Sequence, residues 1–328
     1  MIGQKPIWRR AAVAALPLAA ALMASASPAG AASYPTRPVE IVVPYGAGGS
    51  TDQTARILAQ RLQDRLGQSF VIINRPGASG TIGVTSVARA EPDGYTLLLS
   101  YATEIVVMPQ MSKSVKYAID DFEPIAVTGW LPLVLVSAKY IPAKTLGEFI
   151  AAIRRSPGKY TYGGSLGSPS QLSGAWFSKL LNLDVQHIPY KGGAQAMGDI
   201  VGGHLDMFFP GLAAAKPAYD AGAIKALAQT GDRRSEAFPE VPTFAEAGVA
   251  DFELSSWTMM LAPRGTPGEI VTLLKQEVAR ALDDAKLRGI LAEQGIDPPP
   301  PLDVRDFLAR ENQKFHRVIS ETGVAATP

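Results

Sequence analysis

The run Val39-Glu40-Ile41-Val42-Val43-Pro44-Tyr45-Gly46-Ala47-Gly48-Gly49-Ser50-Thr51-Asp52 decides how this chain folds. Four of its first five residues are β-branched, the composition of a strand buried on both faces in a parallel sheet. After the glycine-rich turn, Ser50-Thr51-Asp52-Gln53 fits a capping box. Ala55, Leu58, Leu62 and Leu66 then recur at three- and four-residue steps until Gly67, which predicts an amphipathic helix. Outward from this unit the alternation continues. Strands are expected at 70–73 and 95–99 around a weaker helix at 81–90, then at 133–136, 160–162, 185–190, 205–209 and 224–229. Helices are expected at 146–155, after Pro169, at 267–283 and at 304–321. Strands alternating with helices predict an α/β fold with doubly wound sheets.

Three of the predicted strands end in a tyrosine followed by paired glycines and a helix: Tyr45 to Gly48-Gly49, Tyr162-Gly163-Gly164, and Tyr190-Lys191-Gly192-Gly193. Ligands in open α/β sheets sit at the carboxyl ends of strands, where these loops fall. Glycine lets a ligand touch the backbone, and a helix start offers unpaired amides with a partial positive charge. Three such loops would cradle a small anion without an arginine. The plainer alternative is that they only connect strand to helix.

Composition narrows the function. The chain has 328 residues, 47% hydrophobic, with 31 Lys plus Arg against 30 Asp plus Glu. That supports a packed core and about two domains, and it offers no basic field for nucleic acid. Residues 1–32 read as a secretory leader: Lys5, Arg9 and Arg10 precede an apolar run broken by Pro17, then Ala24-Ser25-Ala26 and Ala29-Gly30-Ala31. The run is too short for a membrane anchor, and the expected mature chain is a periplasmic protein cleaved near residue 32. Without the three leader cations, 28 basic residues face 30 acidic ones, a balance of −2. Cysteine is absent, which excludes disulfides, thiol nucleophiles and thiolate metal sites. No nucleotide motif is complete, His187, His204 and His316 share no ligand spacing, and the pairs Asp120-Asp121 and Asp283-Asp284 read as solvated. Neither a cofactor nor a metal is expected.

One enzymatic reading competes. Gly163-Gly164-Ser165-Leu166-Gly167 is a G-x-S-x-G motif with Asp184, Asp199, Asp206 and the three histidines downstream, as in a secreted serine hydrolase. Against it, Ser168-Pro169 looks like an N-cap followed by proline at the first helical position, which leaves Ser165 upstream in an open loop.

The chain closely resembles the Bug family, the substrate-binding receptors of tripartite tricarboxylate transporters, over about 34–323. The residues that carry the resemblance are Tyr34-Pro35-x-Arg37-Pro38, Pro44 to Gly49 with Thr51-Asp52, Asn74-Arg75-Pro76-Gly77-Ala78, and Glu91-Pro92-Asp93-Gly94-Tyr95-Thr96-Leu97. They continue with Pro189-Tyr190-Lys191-Gly192, Val241-Pro242-Thr243, Glu246-Ala247-Gly248, and Ala262-Pro263-x-Gly265-Thr266-Pro267. The resemblance implies a two-lobed type II periplasmic-binding fold, with lobe 1 at 33–133 plus 255–328 and lobe 2 at 134–254. It implies a monomeric, non-catalytic receptor for a small organic mono- or dicarboxylate, delivering it to the membrane subunits of such a transporter.

By analogy the first-lobe contacts are Tyr45, Ala47, Gly48, Gly49, Ser50, Thr51 and Asp52, assisted by Ser100, Ala102 and Thr103. The opposing contacts are Ser165, Gly167, Ser168, Tyr190, Lys191, Gly192, Gly193 and Pro210. Asp52 is either a helix cap or an acceptor for a ligand hydroxyl; Lys191 is either solvated or attracts anions. Two departures bear on the far end of the pocket: Gln171, where many members carry histidine, and Pro210-Gly211, where a polar side chain is common. Phe209-Pro210 points to an apolar tail on the ligand.

Overall fold

The computed structural model describes residues 34–299 and 301–324, together with Met1 and Gly3; otherwise the expected leader lies outside the described residues. A short first unit, Met1–Thr36, precedes a body, Arg37–Pro328, which carries every helix and strand of the described residues.

The body opens with β1 (Val39–Val43), α1 (Ser50–Leu66), β2 (Phe70–Asn74), α2 (Thr81–Ala88) and β3 (Thr96–Tyr101). A π-helical turn, Thr103–Val107, continues into α3 (Met108–Met111) before β4 (Phe122–Leu131). The middle of the chain forms β5 (Val134–Ala138), α4 (Leu146–Arg155), β6 (Tyr160–Gly164), α5 (Pro169–Leu180) and β7 (Val185–Pro189). It continues with α6 (Gly193–Val201), β8 (Met207–Phe208), α7 (Leu212–Asp220) and β9 (Ile224–Gln229). The last part is β10 (Ser256–Pro263), α8 (Gly268–Leu282), α9 (Ala285–Glu293) and α10 (Val304–Thr322).

These strands make two five-stranded sheets, ordered β2-β1-β3-β10-β4 and β7-β6-β8-β5-β9. Because β1 is an inner strand, parallel to β2 on one side and β3 on the other, its β-branched residues are buried on both faces. Ala55, Leu58 and Leu62 of α1 are fully buried, and Gly67, at φ +70°, ends the helix by donating its amide to the Gln63 carbonyl at 2.9 Å. The chain leaves the first sheet after Leu131, builds the second, and returns as β10, antiparallel to both β3 and β4. Two lobes therefore share two crossings. The last helix, α10, touches both lobes: the Arg317 guanidinium lies 5.1 Å from the Trp176 ring of α5, and Asn312 Oδ1 accepts from Gln110 Nε2 at 3.0 Å.

Several elements lie outside the sequence expectation. β4 carries Pro124 and Gly129, both poor strand formers, and its pairing with β10 shifts register twice to fit them. β10 is read poorly because Trp257 and Thr258 are its only strong strand formers, yet all eight of its residues are buried. The helix α9 begins at an acid taken for a solvated one: Asp284 is its N-cap, accepting the Leu287 amide at 3.0 Å and pairing with Arg61 at 3.1 Å.

Helix α5 packs on β6 only because residue 174 has no side chain. A Cβ there would stand 2.2 Å from Tyr162 Cδ2, inside a ring that is itself buried. Gly174→Ala gains up to about 1 kcal/mol of helix propensity, but the overpacking costs about 1–3 kcal/mol and forces the ring off its rotamer. The expected result is a net loss of stability, read as a lower urea midpoint with an unchanged slope.

Candidate functional site

In the first lobe, the loop between β1 and α1 is held from below. Asp52, almost fully buried, accepts the Gly48 amide at 2.9 Å, two Arg56 nitrogens at 3.0 Å and Asn74 Nδ2 at 3.0 Å. Asn74 Nδ2 also donates to the Tyr45 carbonyl at 3.1 Å. Burial alone would raise the Asp52 pKa; Arg56, Gly48 and Asn74 outweigh it and hold the carboxyl below its ordinary range. The expected capping box is not formed as written, because Gly49 is the N-cap, without a side-chain cap bond, and Ser50 is already helical. Asp52 therefore spends its oxygens on fixing the loop, and the Gly48 amide with them. The amides at the start of α1, Ser50 to Asp52, have no acceptor within the helix.

Tyr45 turns its ring inward. Its hydroxyl donates to Glu104 Oε2 and lies 3.3 Å from Ser100 Oγ, while Ser100 Oγ donates to the same carboxyl oxygen at 3.3 Å. Ser100, Ala102 and Glu104 are buried; Thr103 stands partly open beside them. Glu104 escaped the sequence reading, although an acid inside Thr103-Glu104-Ile105-Val106-Val107 is a signal for a buried carboxyl. Burial pushes its pKa up to about 7, with the Tyr45 and Ser100 bonds opposing part of the rise.

In the second lobe, Ser168 caps α5 and Pro169 follows at the first helical position, as the sequence predicts. The loop before them, Ser165 to Ser168, is clamped by Gln171, whose Oε1 accepts the Gly167 amide at 2.7 Å. Gly163 and Gly164 prove to be packing glycines inside β6, where a Cβ would meet Leu205 Cδ2 or the Gln171 amide nitrogen at 2.7 Å. The Tyr190 hydroxyl donates to Asp199 Oδ2 at 2.8 Å and so ties its loop to α6. At Gly192 and Gly46, by contrast, nothing lies within 4 Å of where a Cβ would stand; at Gly193 only the Phe208 ring tip comes near, at 3.7 Å. Lys191 is exposed and has no ion pair among the described residues. Pro210 is buried, and its carbonyl accepts the Val134 amide at 3.0 Å. Phe209 points into the core, stacked on Phe244 at 6.2 Å between ring centres, so the apolar tail expected from it has no support there.

The serine-hydrolase constellation is not assembled among the described residues. His187 Nε2 donates to the Gly164 carbonyl at 3.0 Å and its ring lies 4.9 Å from that of Tyr162; no hydrogen bond links a histidine to Ser165 Oγ. Burial moves the His187 pKa down, and the bond to Gly164 offsets part of that. No group of three metal-ligating side chains occurs among the described residues, and no described helix is long and apolar enough to cross a membrane.

Between the lobes lies a cavity of about 350 Å³. Thr103, Met108 and Met111 line it from the first lobe, and Leu166, Gly167 and Ser168 from the second. Of the residues expected from sequence, Thr103, Gly167 and Ser168 meet here; the other expected contacts are not part of its lining. Ser79 and the two methionines were missed. Ser79 sits beside the quoted segment Asn74 to Ala78 and, like Ala78, has positive φ, +53° and +45°. A second cavity, about 290 Å³, lies between Arg233–Ala237 and α9, where Arg234 and Arg288 are already paired with Glu246 and Asp283.

Comparison with known proteins places this geometry. The model of the tripartite tricarboxylate transporter family receptor matches residues 54–324. Protein BugT of Bordetella pertussis is 37% identical over 303 residues, 91% of this chain and 93% of that protein. Among solved structures, Rpa4515 of R. palustris with adipate shares 36% identity at a TM-score of 0.73, covering 89% of this chain and 99% of that one. MatC of Rhodopseudomonas palustris with bound malate shares 32% identity at a TM-score of 0.69, covering 87% and 100%. Likeness of this extent, joined to two sheets and a cavity between their loops, carries the two-lobed type II periplasmic-binding fold. The chain belongs to the tripartite tricarboxylate transporter receptor family.

Proposed function

We propose that this chain is an exported, monomeric receptor of the periplasm that captures a small organic carboxylate between its lobes and hands it to the membrane subunits of a tripartite tricarboxylate-type transporter. No bond is made or broken. The lobes are 33–133 with 255–328, and 134–254; they close on the ligand as rigid bodies about the two crossings. The observation that carries the reading is the cavity bounded by loops of both sheets, Thr103 on one side and the Gly167-Ser168 loop that starts α5 on the other. Adipate and malate in the related structures support the carboxylate class.

The energetics are adequate. Micromolar capture needs about −8 kcal/mol, and each hydrogen bond to a charged group contributes about 1.5–3 kcal/mol. A few main-chain donors approach that figure, and burial of the ligand body on closure offsets the cost of association. A thermal-shift screen of mono- and dicarboxylates tests the proposal. A ligand at one hundred times its Kd adds about 2.7 kcal/mol of stability, which should raise Tm by about 4 °C. Absence of any shift across a broad panel refutes it.

A further inference from the structure

The inter-lobe cavity is unlike a site for a doubly charged ligand. No acidic, basic or histidine side chain lines it. Its walls are four apolar side chains, Met108, Met111, Leu166 and Pro169, with hydroxyls at Ser79, Thr103, Ser112 and Ser168. Two of those hydroxyls are engaged elsewhere: Ser168 Oγ accepts the Gln171 amide at 3.2 Å, and Ser112 Oγ pairs with Ser114 Oγ at 2.8 Å. The Gly167 amide is taken by Gln171. Besides Ser168, whose own proton stays free because its oxygen only accepts, hydroxyl donors for an anion remain on the first-lobe side, at Ser79 and Thr103. Across from them, the sulfurs of Met111 and Met108 lie 3.7 and 4.0 Å from where a Gly167 Cβ would stand, so both thioethers reach to the second lobe. Leu166 beside them is exposed, an apolar side chain with no protein to cover it.

Thioether chains are flexible and polarizable, and they fit aliphatic or aromatic bodies equally well. They offer nothing to a carboxylate. A charged group carried into them loses its water without gaining a partner, and the cost exceeds any gain from the added contacts. We propose that the ligand carries its charge at one end only: it is a monocarboxylate whose apolar body lies among Met108, Met111 and Leu166. This rests on the receptor reading above and narrows it.

Matched acids that differ by one carboxylate test the proposal. Isothermal titration of the mature chain with hexanoate against adipate, and with benzoate against terephthalate, should show the monoacid of at least one pair binding tenfold or more tighter than its diacid. A diacid that equals or beats its monoacid in both pairs overturns the proposal and leaves the receptor reading intact. So does silence of all four acids in a protein that binds malate. Silence across every carboxylate tried removes both. As a second arm, Met111→Arg places a cation where the thioether was and should move the adipate-to-hexanoate affinity ratio at least tenfold toward adipate; an unchanged ratio in a folded variant places the body elsewhere.

Discussion

Gly192→Val is expected to leave the protein folded and to weaken carboxylate binding a hundredfold or more. Residue 192 is extended, with φ −173° and ψ 162°, a conformation open to any residue, and a Cβ there meets nothing within 4 Å. The variant loses a favourable N-cap residue, worth no more than about 1 kcal/mol. The added methyls enter the space in front of the α6 amides, which the proposed closure of the lobes brings to the ligand from outside the cavity lining. Displacing it from two such donors forfeits about 3 kcal/mol or more, and each 1.4 kcal/mol is about tenfold. Gly48→Val would be a poorer experiment, since φ is +90° there and a β-branched residue strains the backbone whatever the ligand does. Calorimetric titration read beside urea denaturation separates the two effects. Full affinity in a folded Gly192→Val protein removes this loop from the site.

The winding of the first lobe is legible in the chain because one physical pattern dominates each element: β-branched burial in Val39–Val43, three- and four-residue spacing in α1, and a left-handed glycine at its end. β4 and β10 are not legible, because their stability comes from each other. Pro124 is tolerated only opposite a register shift in a strand 130 or so residues later, and no local window contains both. The three Tyr–Gly–Gly loops were half readable. Helix starts follow the loops as the pattern puts them, although β6 runs on through Gly163 and Gly164; glycine has two uses that spacing cannot distinguish, since Gly192 leaves space open, whereas Gly164 lets a helix approach a strand. Tyr45 and Tyr190 are tethers while Tyr162 is a packing ring, and their partners are tertiary facts; Glu104 is 59 residues from Tyr45 along the chain. Gln171 belongs to the same class. It looks like a change of pocket chemistry and acts as the clamp on Gly167.

Replacing Glu104 by glutamine is expected to remove a pH-dependent loss of stability. The carboxyl is buried beneath the β1–α1 loop, with the Tyr45 hydroxyl and Ser100 Oγ against it; the Tyr117 hydroxyl donates to the Glu104 carbonyl at 2.7 Å, and no cation pairs with its carboxyl among the described residues. Burial disfavours the ionised form, so the folded pKa stands near 7 against 4.5 for the ordinary group. Between those values the folded state keeps a proton that the unfolded chain has lost, and stability falls as pH rises through this window. Below it no penalty exists, and above it the penalty is complete. One pKa unit corresponds to about 1.4 kcal/mol, which makes the full penalty about 3 kcal/mol. Asp52 acts in the opposite sense, because its lowered pKa contributes stability that is lost only at acid pH, as it falls through the folded value. Glutamine at 104 keeps the shape and an acceptor for the Tyr45 hydroxyl but cannot ionise. Urea denaturation at pH 5 and pH 8 should therefore show the parent losing about 2.5 kcal/mol more than Glu104→Gln, since pH 5 already lies inside the window. Equal losses would mean that Glu104 is ionised in the folded protein at no cost, and that the Tyr45 and Ser100 hydroxyls compensate its burial in full.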